Sequence, residues 1–390
     1  MRLSLLLSYN LRSVLQRWRT SLLAVFGIGL VVGVLGWLVA MSTGLRATLK
    51  ATGIPENAIV VQKGATSELT SGIGNDAASL IEVDARVRRG PDGRPLASPE
   101  MVVVASLKRR SDGAPINVLV RGVTSRAFAV RHAVAIERGR NFTPGLGEIV
   151  VGKRLLDQFD GLDIGDTITL QRRPWTVVGV FRADGSGFES EIWGDADLMR
   201  QAFNRTGGWQ SVTLRLNDPA ALAAFADGLA KDPRFQAEMK QEQAFYEEQA
   251  GGVGTALLYL GYFVTVILGV GAAFGVINTM YGIVGARTRE IGTLRALGFS
   301  RLSILLGVLV ESVFLALIGG ALGILFTLPF EGYTAATAGA SFNQLSFAFR
   351  ITPRGMLIGM MVALVLGVIG GLLPAIRASR VPITAALREA

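Results

Sequence analysis

The stretch "ARTREIGTLRALGFSR", Ala286–Arg301, sets Arg287, Arg289, Glu290, Arg295 and Arg301 between two of the most apolar runs in the chain. Glu290 to Leu297 is strong helix-forming sequence, and Gly298 stands where it would end that helix. Ile291, Leu294 and Leu297 recur at three-residue spacing, which predicts a short apolar stripe with Arg287, Arg289 and Arg295 around it. A loop that only fixes topology needs the arginines. It does not need an apolar stripe with a defined stop, so the segment reads as a helix that docks in a groove on a partner.

The runs on either side set the class of protein. Half of the 390 residues are hydrophobic, and the mean hydropathy is +0.43. Residues 21–41, 255–284, 302–328 and 355–374 are each apolar enough to span a bilayer, which takes roughly 20 residues. The first run is longer than the roughly 7–15 residues of a signal-peptide core, and no small-residue cleavage site follows closely, so it reads as a retained span. As a helix the second run would be about 45 Å long, against a hydrocarbon core of roughly 30 Å. With "FQAEMKQEQAFYEEQ" read as a helix ahead of it, it predicts a stalk above the membrane, softened at Gly251-Gly252. Glu311 is the single acid inside the third run. It lies about 15 Å along a helix from Arg301, which predicts a place facing the bundle interior rather than lipid.

Charge orients the spans. Arg2, Arg12, Arg17 and Arg19, the four arginines of Ala286–Arg301, and Arg377, Arg380 and Arg388 make eleven basic residues against two acids, Glu290 and Glu389. Residues 42–254 carry 26 basic and 26 acidic side chains. The formal charge of +9 therefore sits on three short segments that four spans place on one side, the cytoplasmic side by the positive-inside rule. Because the excess is juxtamembrane, with no basic domain behind it, nucleic acid is not an expected partner; membrane lipids are.

The external segment reads as α+β. "NAIVVQKG", "MVVVASLKRR", "INVLVRGV", "GEIVVG" and "QSVTLRL" are strands, and "SDGAP" is a turn. Two further strands are expected to join near Pro174, with helices from Lys153, over "ADLMRQAF" and over "PAALAAFADGLA". No catalytic constellation appears: there is one histidine, His132, and no cysteine. Asp160, Asp163 and Asp166 read as turn chemistry, lacking the further ligands of a calcium loop. "GEIVVGKR" imitates a phosphate-binding loop but has Arg154 where the magnesium-binding hydroxyl belongs, and it reads as a strand entering a helix. Gly29-x-x-x-Gly33 reads as a close-packing helix face.

The charged stretch closely resembles the coupling segment of FtsX-like ABC transporter permeases of the MacB and LolC/LolE types. "LVESVFLALIGGALGILF" is similar to the family's third span, and "LLPAIRASRVPITAAL" to its C-terminal end, where Pro374, Ala375, Arg377, Ala378, Arg380, Pro382 and Leu387 fit. The resemblance implies an α-helical membrane protein with four transmembrane helices. A large α+β periplasmic domain of two lobes would be inserted between helices 1 and 2. The segments would be a basic cytoplasmic N-terminal helix (1–20), a first span (21–41), the periplasmic domain (42–254; membrane-proximal lobe 42–122 plus 209–249, distal lobe 123–208), a second span (255–284), a coupling helix (285–301), a third span (302–328), a short periplasmic loop (329–354), a fourth span (355–374) and a cytoplasmic tail (375–390).

The resemblance also implies a permease subunit of the bacterial inner membrane that passes motion, not substrate, through the bilayer. It would not itself be an enzyme. ATP and magnesium would be bound by a separate ATPase chain, since fused relatives carry that domain ahead of the first span. Arg287, Arg289, Glu290, Ile291, Gly292, Leu294, Arg295, Leu297 and Gly298 would couple to that ATPase, with Glu311 as the intramembrane polar group. A second permease copy, a periplasmic adaptor and an outer-membrane channel are the further partners implied. Lipoprotein release by a LolC/LolE-like pair and FtsX-like regulation of a cell-wall hydrolase remain alternative functions.

Overall fold

The computed structural model describes residues 18–232, 234–338 and 344–382. Most of the expected N-terminal helix, with Arg2, Arg12 and Arg17, lies outside the described residues, as do Leu387 and Arg388 of the tail. The chain forms two compact units. One comprises residues 18–43, 256–333 and 349–382, and the other Gly44–Thr255 and Thr334–Ala348.

Among the described residues the helices are α1 (Trp18–Thr52), α2 (Asn75–Glu82), α3 (Ala127–Val130), α4 (Ala196–Ala202), α5 (Leu222–Lys231), α6 (Glu242–Ala286), α7 (Thr288–Ala296), α8 (Arg301–Thr327) and α9 (Pro353–Ser379). Helices α1, α6, α8 and α9 are long and apolar enough to cross a membrane. In the first unit they bury one core that includes Ile28, Val31, Val276, Met280, Leu315 and Ala363. Small residues let α1 and α8 meet backbone to backbone. A side chain added at Gly319 would start 2.7 Å from the carbonyl oxygen of Val25, and one at Gly323 would start 2.5 Å from that of Gly29. The Gly29–Gly33 face is thus used for packing, as its spacing predicts. Ser312 Oγ of α8 donates to the Gly367 carbonyl of α9 at 2.9 Å, and Trp37 stacks on Phe349 with ring centroids 5.4 Å apart.

The second unit is built on strands β1 (Asn57–Gln62), β2 (Ile73–Gly74), β3 (Ala97–Lys108), β4 (Pro115–Val123), β5 (Ala135–Gly139), β6 (Glu148–Gly152), β7 (Thr167–Leu170), β8 (Arg173–Arg182), β9 (Glu191–Asp195), β10 (Gly208–Trp209), β11 (Ser211–Arg215), β12 (Ala237–Gln241), β13 (Thr334–Ala338) and β14 (Gln344–Ala348). One hydrogen-bonded ladder runs β12-β1-β11-β3-β4-β9-β6-β8-β5, with β7 added on β8. Its pairs are antiparallel except β4–β9 and β6–β8. The ladder passes through both expected lobes without a break.

Three readings of the sequence are corrected. "AEMKQ" within "FQAEMKQEQAFYEEQ" is strand, not helix: Ala237 and Met239 point inward two residues apart and β12 pairs with β1, so α6 begins only at Glu242. The β7–β8 turn is at Gln171-Arg172, both with positive φ (49° and 63°), and Pro174 lies within β8. The expected short loop 329–354 contains the β13–β14 pair.

Candidate functional site

The loop between the second and third apolar helices is held at both ends by local sequence. Helix α6 stops at Ala286, and Arg287 breaks the path (φ −113°, ψ 13°) before α7 begins. At the other end Gly298 adopts φ +94°, a conformation glycine takes without penalty. Its N–H donates to the Arg295 carbonyl at 3.1 Å, and that of Phe299 to Leu294 at 3.2 Å, closing the helix. Ser300 Oγ then accepts from Ser303 N at 3.1 Å and caps α8.

The structure divides the predicted stripe. Ile291 is 6% exposed and belongs to the same core as Ile304 and Val308, with half-buried Leu294 packed against it. Leu297 is 69% exposed. Gly292 is buried, Arg295 half-buried, and Arg289, Glu290 and Gly298 are exposed. The correction has a geometric cause. Ile291 lies one turn after Arg287 on the side of α7 facing α6 and α8, whereas Leu297 falls beyond the last helical residue, where the chain turns outward at Gly298. Ile291 and Leu294 are therefore occupied by the chain's own helices.

Arg287 does not sit at a rim with Arg289. It is 6% exposed; its Nε donates to Glu290 Oε2 at 3.0 Å and its Nη1 to Glu311 Oε2 at 3.0 Å. Glu311 is 3% exposed and faces inward, as its lone acidic character predicts. The guanidinium thus ties α7 to α8. An isolated acid within a bilayer is costly, and this pair offsets part of that cost. The other imitated motif carries no such geometry: β6 runs into a single 3-10 turn, and Lys153 Nζ is held by Glu137 at 2.7 Å.

Sequence reasoning missed a second polar site, inside the external unit. Arg121 on β4 and Arg131 after α3 meet Glu68, Glu100, Glu191 and Glu242, and all six are buried. Arg121 donates to Glu191 through Nε and Nη2 (2.7 and 2.9 Å), to Glu68 through Nη1 and Nη2 (2.7 and 2.9 Å), and to Glu100 (2.8 Å). Arg131 donates to both oxygens of Glu100 and to Glu242 Oε1 (2.8 Å). The Phe188 ring lies beside both guanidiniums, its centroid 4.8 Å from Arg131 Cζ and 5.2 Å from Arg121 Cζ. Burial pushes the Glu68 carboxyl up, but Arg121 and the Ser211 hydroxyl outweigh it and hold it at about 2. For Glu191 burial outweighs Arg121, and its carboxyl is raised. The signal that could have found the cluster is a single charge inside each apolar strand, as in "SPEMVVV", "VLVRGV" and "SEIWG".

Among the described residues, four membrane-capable helices, a charged helix between two of them and a large α+β unit describe a membrane protein with an external domain. The chain belongs to the MacB- and FtsX-like family of ABC transporter permeases: residues 20–232 match the MacB-like periplasmic core domain and residues 262–383 the FtsX-like permease C-terminal region. It is similar to the "Uncharacterized ABC transporter permease YknZ" of Bacillus subtilis (strain 168), at 28% identity over all of this chain and 98% of that one. It is also similar to the "Macrolide export ATP-binding/permease protein MacB" of Brucella abortus, at 28% identity over 90% of this chain and 56% of the relative. The chain thus spans about half the length of its MacB relatives. The crystal structure of the periplasmic region of MacB from Actinobacillus actinomycetemcomitans covers 51% of this chain and is itself covered to 94%, with 11% identity and a TM-score of 0.37.

Proposed function

We propose that this chain is the permease subunit of a type VII, MacB-like ABC transporter. It couples ATP hydrolysis by a separate ATPase subunit to the export or extraction of a substrate on the periplasmic side of the bacterial inner membrane. ATP and magnesium belong to the ATPase. The permease works as a pair of copies, a homodimer, and a periplasmic adaptor and outer-membrane channel complete the path outward. Residues 42–122 with 209–249, and residues 123–208, act as the two lobes of the external domain. In this reading α7 is the coupling helix, and it meets the ATPase through Leu297, Arg289 and the exposed side of Glu290.

One observation carries the reading: Arg287 bonds Glu290 of α7 and Glu311 of α8 at once. A displacement of α7 that carries Arg287 with it cannot leave α8 in place without parting the buried Arg287–Glu311 pair, and removing one partner of a buried pair costs about 3–5 kcal/mol. Motion at the loop is thereby passed into the bundle.

The test is copurification of the complex in detergent, with every bound chain identified, followed by reconstitution. Arg287→Ala is expected to keep the ATPase bound and hydrolysing while transport falls. If the purified complex contains no ATPase, or Arg287→Ala transports as well as the parent protein, the reading fails.

A further inference from the structure

The buried charge cluster of the external unit lies where two long helices meet the sheet. Glu242 is the first residue of α6. Its Oε1 accepts from Arg131, and its Oε2 accepts from the backbone N–H of Ile54 at 3.1 Å and from Asn57 Nδ2 at 3.0 Å. Ile54 is in the chain leaving α1. One carboxylate therefore fastens the end of α1, the start of α6 and the sheet. One turn further along α6, Tyr246 Oη donates to Glu68 Oε2 at 3.0 Å.

The charges do not balance. Four carboxylates face two guanidiniums, and each is less than a tenth exposed. Two negative charges in excess inside a protein are costly, and the ready compensation is a proton. Around Glu242 the charged and titratable groups are Arg131 after α3, Glu100 on β3, Arg121 on β4, Glu68 ahead of β2, Glu191 on β9 and Tyr246 on α6 itself. Arg215 of β11 reaches the same Asn57 at 3.3 Å and bonds His132. Burial in the cluster raises two of its acids, Glu191 and Glu242. Both oxygens of Glu242 act only as acceptors, and Oε2 faces two donors. A proton added to Oε2 must displace the Ile54 or Asn57 donor, and one added to Oε1, which faces Arg131 alone, removes the charge that strengthens both of those bonds.

We propose that this cluster is a proton-linked latch: ionised Glu242 bonds the end of α1 to the start of α6, and a proton taken up on Glu242 releases that bond. External acidity would then set how firmly the two helices are held together at the domain. The latch needs only the fold of this unit. The transport reading adds that the joint lies on the path of the stroke.

The exposed pair Lys50 and Glu247, 3.3 Å apart across the same two helices, gives the readout. The chain has no cysteine, so Lys50→Cys and Glu247→Cys can carry spin labels on the full chain in nanodiscs, with no ATPase or nucleotide added. The label distance should be narrow at about pH 8 and broaden by about pH 5.5, with the closed-to-separated ratio falling roughly tenfold, the loss of one charge-assisted hydrogen bond. Glu242→Gln should be broad at both values, and Glu191→Gln should respond as the parent does. An unchanged distribution in the parent overturns the proposal whether or not Glu242→Gln folds. So does a narrow Glu242→Gln, or a Glu191→Gln that no longer responds. Because no ATP is present, failure of the transport reading leaves this result untouched.

Discussion

Arg287 and Glu311 stand 24 residues apart and meet at 3.0 Å between Nη1 and Oε2, both nearly closed to solvent. The pair joins the residue that breaks the chain after α6 to the middle of α8, so the geometry of the loop and that of the bundle are set together.

Removing one member should therefore hurt more than removing both. Glu311→Ala leaves the Arg287 guanidinium buried and is expected to cost about 3–5 kcal/mol. Arg287→Met combined with Glu311→Gln should recover most of that loss. Unfolding in mild detergent, measured for both singles and the double as a cycle, checks this. Additive single and double losses would mean that the two side chains do not act as a pair.

The two apolar ends of α7 should behave differently. Ile291→Ala opens the chain's own core and is expected to cost about 2–5 kcal/mol of stability. Leu297→Asp should leave stability nearly unchanged and weaken capture of the ATPase. Thermal unfolding and ATPase pull-down on the same preparations separate the effects. Full binding by Leu297→Asp would remove this surface from the ATPase contact.

Topology can be read with single cysteines at exposed serines. Ser111→Cys should react with an impermeant thiol reagent on intact spheroplasts, and Ser300→Cys only after the membrane is opened. The reverse pattern would invert the orientation given by the arginines.

The charge cluster predicts a stability maximum in mild acid. Glu68 is held at about 2 against an ordinary 4.5, so its contribution is present above 4.5 and lost as pH falls toward 2. That contribution is on the order of 3 kcal/mol. Glu191 is raised above 4.5, so its contribution is present below 4.5 and lost as pH rises through its raised value. Glu68→Gln should lower the unfolding temperature of the external unit at neutral pH, and Glu191→Gln should raise it and flatten the neutral side of the profile. Calorimetry of the full chain from acid to neutral pH is the measurement. A Glu191→Gln profile as steep as the parent's would count against the burial of an excess charge.

The sequence made local features legible and left distant partnerships hidden. Gly298 and the helix before it could be read because the stop and the periodicity are a few residues apart. Glu311 could be placed inward because a lone acid in an apolar run has few other places to go. Arg287 could not be told from Arg289 or Arg295, since what distinguishes it is a carboxylate 24 residues away. Arg121 and Glu191 are 70 residues apart and meet only because β4 and β9 pair in parallel. "FQAEMKQEQAFYEEQ" misled because a strand and a helix adjoin there without a break, and its charged residues mask the alternation of Ala237 and Met239.

Gly53 lies so close to the start of α6 that a side chain on it would begin 2.3 Å from the Cα of Gln243. The chain therefore enters and leaves the external sheet at nearly the same point. The backbone of residues 54–241 starts and ends at this one point, and a turn of a few residues could bridge Gly53 and Gln243 in its place. A permease without its outer domain, or with one exchanged from a relative, would need no new path for the backbone. Diversification of what such proteins meet outside the cell membrane can then proceed by replacing that stretch while the helices that carry it are retained.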